Sequence, residues 1–243
     1  MKTRWIALAT VMSLGIAGCG SEPPAPASSR TETAWITPPT IETAAVESGS
    51  LILTGTASPS GRVVLVSPSG QDFAAAADEA GRFRLITPRP SDDTLFTAEI
   101  RSGQARYPAP GRLLVSGTAG GPIAFVSAGA PTRRFDPGPE LDAVDSDGKA
   151  FFLSGRAEAS TTVTVTAGVQ RPIAVGPDGR WSVAPAGLPE VIQVDDRSFA
   201  PRLDIIGTEG LTPMPGGWRL IWTAPGGARQ VTWLPARQDE TPR

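Results

Sequence analysis

The stretch LILTGTASPSGRVVLV (Leu51–Val66), followed by AGRFRL (Ala80–Leu85), returns about a hundred positions later as FFLSGRAEASTTVTV (Phe151–Val165) and DGRWSV (Asp178–Val183). In both copies a short apolar run ends in Ser or Thr, then Gly, a polar residue and Ala. A run alternating around Val follows, and a Gly-Arg-aromatic signal opens another strand. Period-2 patterning between Gly, Pro and Ser breaks encodes short, half-buried β-strands.

The repetition extends beyond these blocks. PAPGRLLVSGTAGG (Pro108–Gly121) matches PMPGGWRLIWTAPGG (Pro213–Gly227), each Pro-x-Pro-Gly, then Arg-Leu, an apolar pair and a Gly-Gly turn. Each continues into another apolar strand, Ile123–Val126 and Gln230–Leu234, and AVESG before the first copy matches AVDSDG (Ala143–Gly148) before the second. The expected organisation is therefore two β-domains, 35–130 and 139–237, with a linker at 131–138 and a loose tail at 238–243. Each domain is expected to hold six or seven strands in an antiparallel sandwich. Ala74–Ala77 is the only helical candidate, and Phe73 with the flanking turns favours a strand there. The 27 glycines and 25 prolines exceed average usage; with 40% hydrophobic residues the surplus reads as frequent turns rather than disorder.

The first residues have a different character. Lys2 and Arg4 precede an almost wholly apolar run, Trp5–Ala17, and Cys19 follows. That is the layout of a signal peptide, 1–18, with an apolar run too short to span a bilayer. At Ile16-Ala17-Gly18-Cys19 it resembles the lipobox of bacterial lipoproteins. The resemblance implies cleavage before Cys19, a diacylglyceryl group on its sulfur and acylation of the new amino terminus. Several acyl chains would anchor the protein to a membrane without a spanning helix. Residues 19–34 are Pro/Ala/Ser-rich and read as a disordered tether. Gly20 after the cysteine, in place of Asp, resembles the sorting signal for the outer membrane, facing periplasm or surface. Cys19 is the only cysteine, so no intramolecular disulfide is expected. Without the leader, 20 basic face 24 acidic side chains, with Lys149 the only lysine left. No basic stripe exists, which argues against nucleic acid as a partner.

Gly55-Thr56-Ala57, Val63–Val66 and Asp78-Glu79-Ala80-Gly81-Arg82-Phe83 resemble the pattern of bacterial immunoglobulin-like domains. So do Gly155-Arg156-Ala157, Val163/Val165 and Pro177-Asp178-Gly179-Arg180-Trp181. The resemblance covers the first half of each repeat. It implies positive φ at Gly81 and Gly179 in hairpin turns and places Phe83 and Trp181 in the cores. The family implies extracytoplasmic spacers, adhesion modules or carbohydrate-binding modules, and its motifs mark fold rather than activity.

Chemistry is scarce. The chain has no histidine, which removes Ser-His-Asp and Cys-His systems and His-ligated metals; Walker-type glycine loops are absent. The carboxylate pairs Asp92/Asp93, Glu140/Asp142, Asp145/Asp147 and Asp195/Asp196 lie in expected loops, leaving a glycan-active enzyme as a remote alternative. Glu140, Asp142, Asp145 and Asp147 are clustered carboxylates of the kind calcium takes, but their spacing matches no EF-hand, and a solvated linker is the plainer reading. The sharper candidates are Trp218, Trp222 and Trp233. Alternation puts Trp218, Leu220 and Trp222 on one strand face, and Trp233 on the returning strand is taken to face the same way. The first repeat has Gly111, Val115 and about Ser127 there, so the shared fold does not demand tryptophan. Exposed, the cluster would stack on sugar or anchor a partner; buried, it would fill a larger core or a domain–domain contact. Arg219, shared with Arg112, reads as structural. The sequence thus describes an all-β, non-catalytic, lipid-anchored envelope protein, without cofactor or metal, that binds or scaffolds an envelope protein or polysaccharide. The alternative is a structural spacer or accessory subunit of a surface or secretion complex.

Overall fold

The computed structural model describes residues 35–236. The leader (1–18), Cys19 with the tether (19–34) and the tail (238–243) lie outside the described residues. Those described are all-β. The first repeat supplies β1 (Thr40–Glu47), β2 (Ser50–Thr56), β3 (Arg62–Val66), β4 (Asp72–Ala76), β5 (Arg82–Pro88), β6 (Thr94–Ser102), β7 (Ala105–Pro108), β8 (Gly111–Val115), β9 (Ile123–Ser127) and β10 (Ala130–Arg134). The second supplies β11 (Leu141–Ser146), β12 (Phe151–Arg156), β13 (Thr162–Ala167), β14 (Val169–Ala174), β15 (Arg180–Val183), β16 (Ile192–Val194), β17 (Arg197–Phe199), β18 (Gly210–Met214), β19 (Gly217–Thr223) and β20 (Arg229–Pro235). Each repeat holds ten strands rather than the expected six or seven; in the first, tight turns at Gly103 and Gly129, both at positive φ, cut out extra short strands.

The sheets are antiparallel, and the two repeats share their first connections. β1-β2-β5 corresponds to β11-β12-β15, and β4-β3-β6 with β7 corresponds to β14-β13-β16-β17. The repeated glycine explains itself in this geometry. Gly55 stands opposite Phe83 and Gly155 opposite Trp181 across the β2–β5 and β12–β15 ladders. A Cβ at Gly155 would sit 2.0 Å from the Glu140 carbonyl oxygen and 2.4 Å from the Trp181 ring. The missing side chain therefore lets the aromatic ring lie over the neighbouring backbone, and the buried Phe83 and Trp181 fill the two cores. Gly81 and Gly179, at φ 79° and 72°, close the preceding turns, as expected.

The repeats part company at their last hairpin. In the first, β8 pairs with β6, and the hairpin extends one sheet to β10-β9-β8-β6-β3-β4. In the second, β20 pairs with β11 instead, giving β15-β12-β11-β20-β19-β18. Three apolar layers result. Leu51, Leu53, Phe83 and Leu85 meet Val63, Leu65, Phe96 and Leu113 in the first core. Leu141, Leu153, Trp181 and Trp233 meet Val163, Val165, Ile192 and Val194 in the second. Between them, Leu114, Ala124 and Val126 pack on Ala143, Trp218, Leu220, Trp222 and Leu234.

The expected linker, 131–138, is not a solvated connection. Pro131–Arg134 belong to β10, which pairs with β9, and Thr132, Arg134 and Asp136 are buried. Gly155→Ala is expected to destabilise the protein by about 1–3 kcal/mol through overpacking. Gly187→Ala, with open space around its Cβ, should leave the urea midpoint within experimental error.

Candidate functional site

β19 and β20 position the three tryptophans singled out by the sequence, and all three are inside. Trp218, Trp222 and Trp233 are 7%, 2% and 1% exposed. Trp218 and Trp222 share a face with Leu220, as alternation requires, and cover β8 and β9 of the first repeat. Trp233 does not join them. The ladder pairs Trp218 with Leu234 and Arg219 with Trp233, so Trp233 points through the sheet's other face into the second core. No aromatic platform faces solvent here. The hairpin's change of sheet accounts for the size of these side chains. Leu113 and Val115 turn into the first repeat's own core, whereas the aligned Leu220 and Trp222 turn out of the second core and fill the contact between repeats.

A buried polar cluster borders that apolar layer. Thr132 on β10 donates its backbone N–H to Asp145 Oδ2 (2.9 Å) and its hydroxyl to Oδ1 (2.7 Å). Thr232 on β20 donates its hydroxyl to the same Oδ1 (2.7 Å), and Ser154 on β12 donates to the Thr132 carbonyl (2.8 Å). Burial pushes the Asp145 carboxyl up to about 6, against the pull of these donors. Alongside, Arg134 donates Nε and Nη2 to Asp136 and Nη1 to the Pro235 carbonyl at 2.5 Å. Asp142 accepts from Arg156 Nε (2.6 Å) and Arg180 Nη1 (3.0 Å). The same two guanidinium groups reach back to the Asp136 and Arg134 carbonyls. Burial raises the Asp142 carboxyl, opposed by Arg156, Arg180 and Arg134, and the same desolvation lowers Arg180.

All but one of the remaining candidate carboxylates are also engaged. Glu140 pairs with Arg197 at 2.5 Å. Asp147 accepts the Lys149 and Ala150 N–H groups, which hold its carboxyl below the ordinary range. Asp93 accepts from the Ser116 hydroxyl and Gly117 N–H, Asp92 accepts from the Ser91 hydroxyl, and Asp195 accepts the Thr164 N–H. Asp196 is exposed beside it. Glu140, Asp142, Asp145 and Asp147 thus point to four different sets of donors instead of converging on one cation, and Asp142 and Asp145 are buried rather than solvated. Thr132, Arg134, Asp136 and Thr232 are not singled out by the sequence, and Arg156 and Arg180 stand out there only as members of the repeated strand motif. Pro-Thr-Arg-Arg-Phe-Asp-Pro has the composition of an exposed loop, and no alternation within it marks a strand.

Trp222→Ala should destabilise the protein by about 3–5 kcal/mol in urea unfolding. Trp222→Phe should cost less than half as much, because the Trp222 indole N–H has no hydrogen-bond partner among the described residues. Asp145 predicts a pH dependence. Its folded value lies above that of an unfolded aspartate, so its contribution is full below about pH 4 and is lost as pH rises through about 6. Between pH 4 and 7 the Asp145→Asn variant should show a shallower fall in stability than wild type, by roughly 2–3 kcal/mol.

The several antiparallel sheets are compatible with immunoglobulin-like domains. A scan against protein-family models finds no match for this chain, and a search of curated proteins finds none either.

Proposed function

We propose that this chain is a non-catalytic, lipid-anchored protein of the bacterial cell envelope, tethered through Cys19 and serving as a scaffold for a protein partner. In this reading residues 35–130 and 139–237 are two bacterial immunoglobulin-like units. The anchor rests on the charged, apolar and Ile-Ala-Gly-Cys segments of the leader, and Gly20 directs it to the outer membrane. The scaffold role is supported by one observation above the others: the two repeats are joined by a buried apolar layer and an ionic cluster. Such a contact holds two sandwiches in one fixed arrangement, whereas a flexible linker would leave them independent. The inward-facing tryptophans favour a protein partner, or a spacer role in a surface or secretion complex, over a polysaccharide-stacking module. In each candidate carboxylate pair at least one member is tied into a turn, a hydrogen bond or an ion pair, and no catalytic residue, cofactor or metal is assigned.

The full chain in a diderm bacterium should incorporate a clickable fatty acid, fractionate with the outer membrane and retain a protein partner in mild detergent. Cys19→Ser should abolish both labelling and membrane fractionation. A chain that is not labelled, or is labelled equally after Cys19→Ser, would refute the anchor. Recovery of no partner from membranes would refute the scaffold.

A further inference from the structure

One end of the second core is open. β13 and β14 on one side and loop 184–189 on the other enclose a groove of about 350 Å³. Its walls are Val165, Ala167, Ile173, Val183 and Leu188, and the single charged side chain lining it is Arg171. Arg171 stands opposite the buried Val165 and alternates with Val169 and Ile173, which also line the groove. It is therefore on the core-facing side of an edge strand, exposed at the mouth of the groove, and its guanidinium has no hydrogen bond or ion pair among the described residues.

The shared fold does not require this arrangement. In the first repeat Leu65, aligned with Val165, pairs with Phe73, whose ring packs against the core. There β5 runs for seven residues to Pro88, while β15 stops after four at Val183. The chain then leaves the sheet through Pro185 and Pro189, and the groove opens where the strand would have continued. The corresponding hollow in the first repeat is mixed in character, with Ser67, Gln71, Arg89, Asp92 and Asp93 lining it beside Phe73 and Phe96. An arginine for a phenylalanine and a wholly apolar wall for a mixed one are changes to the same end of the sandwich.

We propose that this groove binds a single-chain amphiphile with an anionic head, of the fatty-carboxylate class. The tail lies along Val165, Ala167, Ile173 and Leu188, and the carboxylate pairs with Arg171. Three observations select this occupant. The volume is at the low end of the range of about 300–1,000 Å³ for ligand pockets, which suits one chain rather than a multi-chain lipid. No lining side chain but Arg171 is polar, so the rest of the ligand must be apolar. Pro172, in the middle of β14, has no N–H to offer an added peptide strand. An inward charge on an edge strand also discourages strand pairing. In that role its loss would cause self-association and leave ligand binding untouched.

The site does not depend on the Cys19 anchor, so the test applies to the full chain, either held in membranes through Cys19 or released from them as Cys19→Ser. The probe is a dodecanoate carrying a diazirine, with labelled positions mapped by peptide mass spectrometry. Saturable labelling is expected within 165–189, displaced about tenfold more effectively by dodecanoate than by dodecan-1-ol, as a charge-assisted pair requires. Arg171→Glu should reduce it about tenfold at an unchanged melting temperature, and Arg171→Lys should retain most of it. Ala167→Trp, which fills the groove, should abolish it. Labelling that is non-saturable, lies outside 165–189 or is unchanged in Arg171→Glu overturns the proposal. So does an Arg171→Glu chain that self-associates while labelling as wild type does.

Discussion

The six-stranded sheet β15-β12-β11-β20-β19-β18 is covered on both faces where its central strands lie. A sheet so placed cannot alternate apolar and polar residues; its central strands must read as nearly continuous apolar runs. Every residue of β20 after Arg229 is buried and β11 is buried throughout, yet both strands keep polar residues. The polar residues these strands retain face the dearest environment in the molecule. Asp142, Asp145, Ser146 and Thr232 are all there, and each unpaired carboxylate would cost several kcal/mol. The hydrogen bonds from Thr132, Arg156 and Arg180 follow from that necessity as much as from any gain in stability.

The same cluster makes the contact directional. An apolar layer of Leu114, Val126, Trp218 and Trp222 is tolerant of sliding, since dispersion and area are nearly indifferent to small shifts. Asp145 is not indifferent. It takes donors from β10 of one repeat and β20 of the other at 2.7–2.9 Å, and any displacement of β10 strips two of them while leaving the carboxylate buried. Arg134, fully buried, adds a second fixed point by bridging Asp136 and the Pro235 carbonyl. Area holds the repeats together, and these few polar atoms select their register.

What could be read from the sequence was local. The Gly-x-Ala and Gly-Arg-aromatic signals concern residues facing one another across one ladder, and Gly155 with Trp181 needs no knowledge of the rest of the chain. The partner sheet of the last hairpin is a different kind of fact. PAPGRLLV and PMPGGWRLIW have the same local pattern, and nothing within either states whether it joins β6 or β11. The face of Trp233 failed for a related reason. Loop 224–228 sets Thr223 opposite Arg229, so even-numbered residues of β19 meet even-numbered residues of β20. Trp233 then belongs with Arg219, not with Trp218 and Trp222. The burial of Thr132 and Arg134 was hidden because it is created by the neighbouring repeat, which a composition reading of one short segment cannot include.

The divergence between the copies follows from one rearrangement and its consequences. Once β20 pairs with β11, the hairpin face that would have filled the second core turns towards the first repeat, and its small or aliphatic positions become Trp218 and Trp222 to span the space. The second core must then be filled from elsewhere. Trp233 enters from the opposite face of the same hairpin, and Trp181 stands where the first repeat has Phe83. At the far end of the sandwich the compensation stops: β15 ends at Val183, loop 184–189 covers the core only in part, and Arg171 replaces the ring that Phe73 provides. The tryptophans that made the second repeat conspicuous are thus the mark of its attachment to the first. The position where it departs from its twin without a packing reason is Arg171, without a side-chain partner among the described residues, at the mouth of an apolar groove.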